Sequence, residues 1–424
     1  MTNARPILAG ALLALVSPIA AQPVPSATRW WRGNLHTHSL WSDGNDFPEM
    51  IADWYRAHGY DFLALSDHNV LSDHERWIDN DDVIVRGGRR ALARYRERFG
   101  PDWVETREVD GALQVRLKTL AEFRGLLEAP GEFLLLQAEE VSDSFARLPI
   151  HLNATNLDEV IPPQGGGSVR EVIRNNLRAI AARADARAEP VLGHLNHPNF
   201  GWAVTAEDLA HVVEERFFEV FNGHPAVHNR GDATHASTER IWDVANTIRL
   251  DALGAPPLFG LGTDDSHNYH GAHGATPGRG WIMVRAARLE PRALLEAMQR
   301  GDFYASSGVE LEDVRFDPER RELSLRIAAR PGERYVTRFV GTERGHDPSS
   351  APVLDPAGQP VRATRRYSDE IGCVLAEVEG EAASYRCTGR ELYVRAVVTS
   401  SAEAENPTYE GAPQQAWTQP VGWR

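Results

Sequence analysis

The segment that decides the fold is Asn34-Leu35-His36-Thr37-His38-Ser39-Leu40-Trp41-Ser42-Asp43-Gly44. It places two histidines one residue apart, with a carboxylate five positions after the second. Residues i and i+2 of a β-strand share a face, so His36 and His38 are predicted to project together toward one metal ion. Two packed or surface histidines would give the same pattern, so the motif is a weak signal by itself. Its interpretation depends on whether the rest of the chain supplies further ligands.

Several later segments share one arrangement, a short apolar run beside His, Asp or Glu. The runs are 61–65 before His68, 132–138 before Glu140, 151–156 opening on His151, 190–193 before His197, 217–221 before His224, and 258–262 before Asp265 and His267. Amphipathic helices are predicted at 48–58, before the first of these runs, at 168–180, between two of them, and at 291–300, after the last. This alternation predicts a parallel, helix-wrapped sheet or barrel. In a (β/α) barrel the C-terminal strand ends carry the active site, so distant residues can meet there.

The chain divides by composition into a first part, 22–309, and a β-rich C-terminal part, 310–424. Residues 72–130 are predicted to be a helical insertion, with charged helical patterns at 89–99 and 120–127. Alternation of polar and apolar residues at 321–328 and 391–398 predicts antiparallel strands and a β-sandwich-like domain. The two cysteines, Cys373 and Cys387, flank two strand-like runs with a turn between them, so they could close a hairpin disulfide in an oxidising compartment, and the sequence leaves open whether they do.

The N-terminus predicts export. Residues 1–21 have the charged Arg5, an apolar run at 7–16 and small residues up to Ala21, which together are typical of a secretory signal peptide. A retained N-terminal anchor is the alternative. No other stretch approaches transmembrane length, so no stable membrane insertion is expected. A secreted or periplasmic location follows.

The net charge of −15 over 424 residues argues against nucleic acid as a partner, because no basic face is present. An anionic small-molecule substrate stays possible, since bound metal cations would reverse the local field. The sequence leaves the oligomeric state open.

The collected motifs resemble the PHP (polymerase and histidinol phosphatase) superfamily over about residues 30–308. These motifs are H-x-H followed by S-D-G, S-D-H-N after a strand, a strand-end Glu-Val-Ser, an H-P and a late D-x-H. The signal peptide, the Asn196-His197-Pro198-Asn199-Phe200 segment, the Thr-Asp-Asp-Ser-His ending and the β-rich tail are more similar to the secreted, carbaryl-hydrolase-like branch. The resemblance implies an α/β fold, a distorted (β/α)7 TIM-like barrel, that holds three divalent metal ions.

The resemblance also implies how nine ligands share these ions. The first ion would be held by His36, His38, Glu140 and Asp265; the second by Glu140, as a bridge, with His151 and His197; the third by Asp43, His68 and His267. Many PHP proteins have histidine where Asp43 stands. A carboxylate is a harder ligand, in the hard–soft sense, than an imidazole. It therefore favours Mn or Fe over Zn at the third site, although all three metals remain candidates.

Neighbouring residues are predicted to play other roles. His194 competes with His197, and Glu139 with Glu140, but strand geometry lets only one of each pair face the site. Asp67 and Asp264 adjoin ligands and are expected to orient them through hydrogen bonds. The remaining candidates for lining the pocket or contacting substrate are Glu219, Asn222, His224, His270, His273 and Arg279. Arg279 could clamp an anion, with a surface salt bridge as the alternative.

These residues predict a metal-dependent hydrolase that cleaves phosphate esters. Glu140 and Asp265 would act through a hydroxide that bridges metal ions. The same machinery could instead hydrolyse a carbamate, an amide or a carboxylic ester. A third hypothesis is a non-catalytic metal- or glycan-binding module, which predicts missing ligands in the barrel; none of the nine is missing.

Overall fold

The computed structural model describes residues 28–271 and 273–423. The predicted signal peptide at 1–21 lies outside the described residues. Within the described part of the chain, no helix combines the length and apolar character needed to cross a membrane.

The fold contains twenty-one strands and eight α-helices in the described ranges. The strands are β1 (Arg29–Asn34), β2 (Phe62–Leu65), β3 (Arg76–Asp79), β4 (Thr106–Val109), β5 (Ala112–Leu117), β6 (Leu134–Phe145), β7 (Leu148–Thr155), β8 (Leu192–Leu195), β9 (Phe217–Asn222), β10 (Phe259–Thr263), β11 (Trp281–Ala286), β12 (Phe303–Ser306), β13 (Leu311–Asp317), β14 (Glu322–Ile327), β15 (Tyr335–Glu343), β16 (Ser350–Ala351), β17 (Arg366–Tyr367), β18 (Cys373–Glu379), β19 (Ala382–Arg386), β20 (Glu391–Glu403) and β21 (Pro413–Thr418). The helices are α1 (Pro48–Ala57), α2 (Asn80–Gly87), α3 (Ala91–Phe99), α4 (Leu120–Leu127), α5 (Val169–Arg187), α6 (Ala206–His211), α7 (Thr238–Thr247) and α8 (Pro291–Arg300).

One large sheet of thirteen strands organises the molecule, in the order β10-β9-β8-β7-β6-β2-β1-β11-β12-β21-β20-β15-β18. Strand β2 pairs in parallel with β1 and β6, and β9 pairs in parallel with β8 and β10. The predicted mixed α/β class is therefore confirmed. Strand β10 lies at one end of the sheet, and the strand pairings of the described residues do not show a closed barrel.

The prediction of a parallel sheet holds only in part, because β6, β7 and β8 form an antiparallel run. Strand β6 does not end at Glu140 but continues to Phe145, where Ala146 and Arg147 turn the chain with φ of 50° and 69°. Positive φ at both central residues is typical of a two-residue hairpin turn, and such a turn can join only antiparallel strands. Glu140 therefore lies in the middle of a strand.

Helices α1 and α8 cover the large sheet on its outer side. Ile51 and Tyr55 of α1 share a buried cluster with Leu63 of β2. Leu294 and Met298 of α8 belong to a second buried cluster. Both helices begin at proline, as predicted. Their packing fixes the strands whose ends carry the polar residues.

The insertion at 72–130 contains the predicted helices α3 and α4 but also a three-stranded sheet, β3-β5-β4, that the sequence reading missed. Asp110 and Gly111, with φ of 52° and 80°, form the turn between β4 and β5. An Asp-Gly pair between two short runs is a hairpin signal. The insertion is therefore mixed rather than helical.

The β-rich C-terminal part packs in two layers. The smaller sheet, β13-β14-β19, shares a buried cluster with β15 and β20 of the large sheet, including Leu323, Leu325, Phe339 and Val398. Strand β21 pairs with β12, so the large sheet continues across the predicted boundary at residue 310. The division into two domains there stays a prediction.

The two cysteines are free thiols. The strands that they flank, β18 and β19, pair with β15 and β14 respectively and belong to different sheets. The predicted hairpin between these two strands is therefore wrong, because each strand pairs with a different neighbour.

Candidate metal centre

The segment after β1 directs two histidines to the same side. His36 and His38 are fully buried, and their ring centroids lie 5.1 Å apart. Thr37, between them, points the other way, and its hydroxyl donates to the carbonyl of Ala64 at 2.8 Å. The backbone N–H of His38 donates to the carbonyl of Ser266 at 2.9 Å, which brings the two ends of the predicted ligand set together. The alternation expected from the H-x-H spacing is therefore present.

Four atoms of the first predicted ligand set form a tight cluster. His36 Nε2 lies 3.4 Å from both Glu140 Oε2 and Asp265 Oδ1. His38 Nε2 lies 3.3 Å from the same two oxygens. Ligand atoms about 2.0–2.1 Å from a tetrahedral ion are separated by about 3.3–3.4 Å. These four separations are typical of ligands that share a cation. His36, His38 and Asp265 form one candidate metal group, whereas Glu140 belongs to two neighbouring groups, one with His36 and one with His68.

Three of these atoms have no hydrogen-bond partner among the described residues. His36 Nε2, His38 Nε2 and Glu140 Oε2 are all buried and make no hydrogen bond, although Glu140 Oε2 lies 2.8 Å from His68 Nδ1 in an ion pair. Buried polar atoms normally find partners, because leaving them unpaired costs free energy. Unpaired atoms that converge on one point are what a metal ion would satisfy. These side chains therefore fit the divalent metal ions that the sequence predicted.

A second cluster lies at the more exposed side. Asp43 Oδ2 lies 3.5 Å from His68 Nε2, and Asp43 Oδ1 lies 3.3 Å from His267 Nε2. The ring of His38 lies between the rings of these two histidines, at centroid distances of 4.4 and 4.1 Å. The Asp43 side chain is 55% exposed, so this side of the centre faces the cavity mouth.

Glu140 is the shared member of the centre. Its Oε2 faces His36 and His38, while its Oε1 lies 3.0 Å from His151 Nδ1 and 3.2 Å from His197 Nε2. All nine predicted ligands fall in four overlapping groups: His38, Asp43, His68 and His267; His36, His38 and Asp265; His36, Glu140 and His197; and His68, Glu140 and His151. His151 and His197, predicted to share one ion, fall in different groups. Glu140 connects the two groups.

The carboxylates give the centre a negative field. Burial raises the pKa of Glu140 and of Asp265, but His36 and other imidazoles bring both pKa values well below the usual range. Burial opposes protonation of His68, yet Glu140 and Asp43 raise its pKa to about 10. Without ions, the carboxylates raise the pKa values of His36, His68, His197 and His267, whereas burial and the neighbouring imidazole of His267 lower the pKa of His38 to about 3. A divalent cation would satisfy the same field, and the imidazoles would then be neutral ligands.

Glu219 supports the centre in a way that the sequence did not reveal. Its Oε1 lies 2.6 Å from Nδ1 of His36, and its Oε2 accepts the backbone N–H of His197 at 2.8 Å. A carboxylate bonded to the outer nitrogen of a ligating histidine fixes the orientation of the ring. The sequence marked Glu219 only as a candidate for lining the pocket, and its position near a strand end was the only signal.

The residues that compete with predicted ligands face elsewhere. His194 is fully buried on β8, with Nε2 3.6 Å from Oε1 of Glu219, behind the centre. Glu139 points to the opposite side of β6 from Glu140, and its Oε1 accepts the N–H of Ile161 at 2.5 Å. The structure thus places His197 and Glu140, rather than their neighbours, in the cluster.

Asp67 and Asp264 hold loops rather than ligand rings. Asp67 accepts the backbone N–H and the hydroxyl of Ser39, both at 2.7 Å. Asp264 accepts the backbone N–H groups of 278–280 and the hydroxyl of Tyr55. Each carboxylate therefore fixes the loop that follows or faces a ligand, so its effect on the ligands is indirect.

His270 and Arg279, predicted as further substrate contacts, are turned away from the centre. The Arg279 guanidinium donates to the carbonyl of Gly223 at 2.8 Å and to Asn406 Oδ1 at 3.3 Å, and the residue is only 7% exposed. His270 Nε2 lies 3.1 Å from Oδ2 of Asp46. Neither residue borders the cavity over the centre. Arg279 joins the β9 loop to the C-terminal part instead of clamping an anion.

A cavity of about 230 Å³ opens over the centre, and nine residues border it: Asp43, His68, Glu140, His151, His197, Phe200, His224, Asp265 and His267. Within the described residues, no lysine or arginine borders it. A larger cavity of about 610 Å³, bordered by Phe221, Arg230, Tyr409 and Trp417 among others, contains none of the nine predicted ligands. The smaller cavity is therefore the candidate active site, because predicted metal ligands border it.

No family model and no curated protein matches the chain. A solved structure of a two-domain protein from Bacteroides vulgatus, containing a predicted PHP-like metal-dependent phosphoesterase, is 15% identical with a TM-score of 0.40, and the alignment covers 96% of this chain and 100% of that one. A Bifidobacterium adolescentis structure named as a metal-dependent phosphoesterase is 13% identical with a TM-score of 0.29, and the alignment covers 63% of this chain and 94% of that one. A Chromobacterium violaceum amidohydrolase with bound sulfate is 14% identical with a TM-score of 0.29, and the alignment covers 56% of this chain and 88% of that one. Similarity at this level carries no conclusion about function.

Proposed function

We propose that the chain is a metal-dependent hydrolase that cleaves phosphate esters at a centre of three divalent ions. The observation that carries the proposal is that Nε2 of His36 and Nε2 of His38 each lie 3.3–3.4 Å from an oxygen of Glu140 and an oxygen of Asp265. Both nitrogens are buried and have no hydrogen-bond partner among the described residues, which supports a cation there. The resemblance of the motifs to the PHP superfamily supports the number of ions.

The chain's own residues prepare the centre for hydrolysis. Divalent ions would supply Lewis acidity and lower the pKa of a bound water toward neutrality. Glu140 offers one oxygen to each side of the centre, and Glu219 keeps the ring of His36 in place. Asp43, at the exposed side, leaves the centre open to a small substrate. An accessible centre is typical of catalytic rather than structural sites.

One observation favours a second candidate, hydrolysis of a carbamate, an amide or a carboxylic ester. Phosphate dianions are commonly bound by arginine or lysine, and no such side chain borders the cavity among the described residues. A phosphate substrate would therefore rely on the ions for charge compensation. The third hypothesis, a non-catalytic binding module, loses support because all nine predicted ligands lie in the overlapping groups.

The decisive experiment combines metal analysis with a substrate panel. Protein purified without chelator is analysed for Zn, Mn and Fe. It is then assayed with p-nitrophenyl phosphate, bis(p-nitrophenyl) phosphate, p-nitrophenyl acetate and a p-nitrophenyl carbamate. We expect bound metal and turnover of a phosphate ester, with both lost in Asp265→Ala. His58→Gln, an exposed site at the end of α1, is the matched control.

Three results would contradict the proposal in different ways. Carbamate or acetate turnover without phosphate turnover would favour the second candidate. Metal content well below one ion per chain would favour a different function. An Asp265→Ala protein that loses metal but keeps its activity would refute metal-dependent hydrolysis.

We also infer export to the periplasm or the medium, on the signal-peptide pattern of residues 1–21. N-terminal sequencing of the mature protein tests this inference. We expect the chain to begin at Gln22, and an intact Met1 on the mature protein would contradict the inference.

A further inference from the structure

Two residues that border the cavity are not predicted metal ligands. Seven of the nine bordering residues belong to the ligand set, and the other two are Phe200 and His224. The two rings lie 6.4 Å apart, and the ring of His224 lies 5.4 Å from that of His267. An apolar ring and an imidazole therefore lie together at the cavity, where a substrate bound at the centre can contact both.

The tautomer of His224 is fixed by a backbone hydrogen bond. The N–H of Ala226 donates to Nδ1 of His224 at 3.1 Å. A nitrogen that accepts a hydrogen bond carries no proton, so in the neutral imidazole the proton is on Nε2. No described residue accepts a hydrogen bond from this Nε2. His224 therefore presents a free N–H donor at the cavity.

The position of this donor relative to the centre is also fixed. The backbone N–H of His224 donates to Oδ1 of Asn222 at 2.8 Å. The amide nitrogen of Asn222 donates in turn to Oε2 of Glu219 at 2.7 Å and to Oδ2 of Asp265 at 3.1 Å. The end of β9 thus ties His224 to a predicted ligand and to the carboxylate behind His36. Such support is what a substrate-binding group needs to hold its geometry.

We propose that His224 is a substrate-binding residue that donates its Nε2–H to a substrate oxygen, while Phe200 packs against an apolar or aryl group of the substrate. This inference rests on the proposed hydrolase function of the same cavity. Because one neutral donor and no cationic side chain border the cavity, the preferred substrate is an aryl ester that is uncharged or carries a single negative charge, rather than a dianion. Among phosphate esters, this favours aryl diesters.

The test measures binding as well as activity. Calorimetry on the metal-loaded protein at about pH 6, where both compounds carry mainly a single negative charge, gives the Kd of phenylphosphonate and of methylphosphonate, which are not hydrolysed. His224→Phe removes the donor, whereas His224→Gln keeps an N–H near the position of Nε2. We expect His224→Phe to raise the Kd of phenylphosphonate about tenfold or more, and His224→Gln to stay within about threefold of wild type. Phe200→Ala should weaken phenylphosphonate binding and leave methylphosphonate binding nearly unchanged.

His228→Phe is the matched control, because His228 follows in the same loop but borders the larger cavity. Equal Kd values for wild type and His224→Phe, at equal metal content, would overturn the proposal. So would a Gln variant as impaired as the Phe variant, or a wild-type protein that binds neither phosphonate. Phosphonate binding that depends on His224, in a protein that hydrolyses no ester of the panel, would instead refute the proposed function alone.

Discussion

Replacing Glu219 by glutamine tests whether the carboxylate behind His36 supports the metal centre. Glu219 is fully buried and accepts hydrogen bonds at both oxygens. Oε1 receives Thr263 Oγ1 at 2.8 Å and lies 2.6 Å from His36 Nδ1. Oε2 receives the N–H of His197 at 2.8 Å and the amide of Asn222 at 2.7 Å. Every partner thus depends on Glu219 as an acceptor.

The size of the effect follows from these contacts. Glutamine has only one acceptor oxygen. An NH2 group in place of Oε2 would face two N–H donors, those of His197 and Asn222. An NH2 group in place of Oε1 would lose the contact with His36 Nδ1, while the Thr263 hydroxyl can turn to accept. Either orientation therefore releases a ring or a loop that Glu219 holds. Loss of such a supporting partner typically weakens metal affinity about 10–100-fold, or about 1.4–2.7 kcal/mol. We expect Glu219→Gln to lie toward the upper end of this range.

The assay is a competition titration of Zn²⁺ and Mn²⁺ between the protein and a chelating indicator. Glu139→Gln is the matched control, because Glu139 is also a buried glutamate but faces away from the centre toward Ile161. We expect the control to bind metal within about threefold of wild type. If both variants bind metal equally well, the reasoning that Glu219 orients His36 is refuted.

Three further predictions concern stability. Arg395, buried on β20, makes a bidentate ion pair with Asp243 of α7 at 2.7 and 2.9 Å. Arg395→Met leaves that carboxylate without its counter-charge, so it should lower the free energy of unfolding, measured in urea, by about 3–5 kcal/mol. The double variant Asp243→Leu/Arg395→Met should be less destabilised, and additive losses would contradict this account. Burial raises the pKa of Glu215 to about 8, so its contribution to stability is complete below the unfolded-state pKa of about 4.3 and is lost as pH rises through about 8. Glu215→Gln should flatten the dependence of Tm on pH between 5 and 8.5, and an unchanged slope would argue against a buried neutral Glu215. Chelator should lower the Tm of the wild type but not that of Asp265→Ala, because only a protein that binds the ion is stabilised by it; equal shifts would show that the chelator acts elsewhere.

Helix positions could be predicted because their signals are local. Pro48 and Pro291 begin α1 and α8, and Gly59 and Gly301 follow their ends with φ of 76° and 84°. Proline suits a first turn, and glycine adopts the left-handed conformation at little cost. These residues act on their own neighbours, so no knowledge of the fold is needed.

Strand direction could not be predicted in the same way. The turn at Ala146 and Arg147 has positive φ without glycine or asparagine, so nothing in the sequence signalled the hairpin of β6 and β7. An apolar run looks the same whether its neighbour is parallel or antiparallel, since the direction depends on pairing with distant segments. The prediction of a parallel sheet was therefore wrong for β6, β7 and β8.

The sequence by itself determined the chemistry available to this protein: which side chains can bind a metal, and that His36 and His38 share a face. Only the tertiary structure decided which of them meet, how Glu140 faces both sides of the centre, and that Arg279 is bonded to Gly223 and Asn406. It also revealed Glu219 behind His36 and the free N–H of His224. The physical reason is that a side chain's type and local spacing are properties of the chain. Distances between ligands, burial and hydrogen-bond partners arise only when segments remote in sequence pack together.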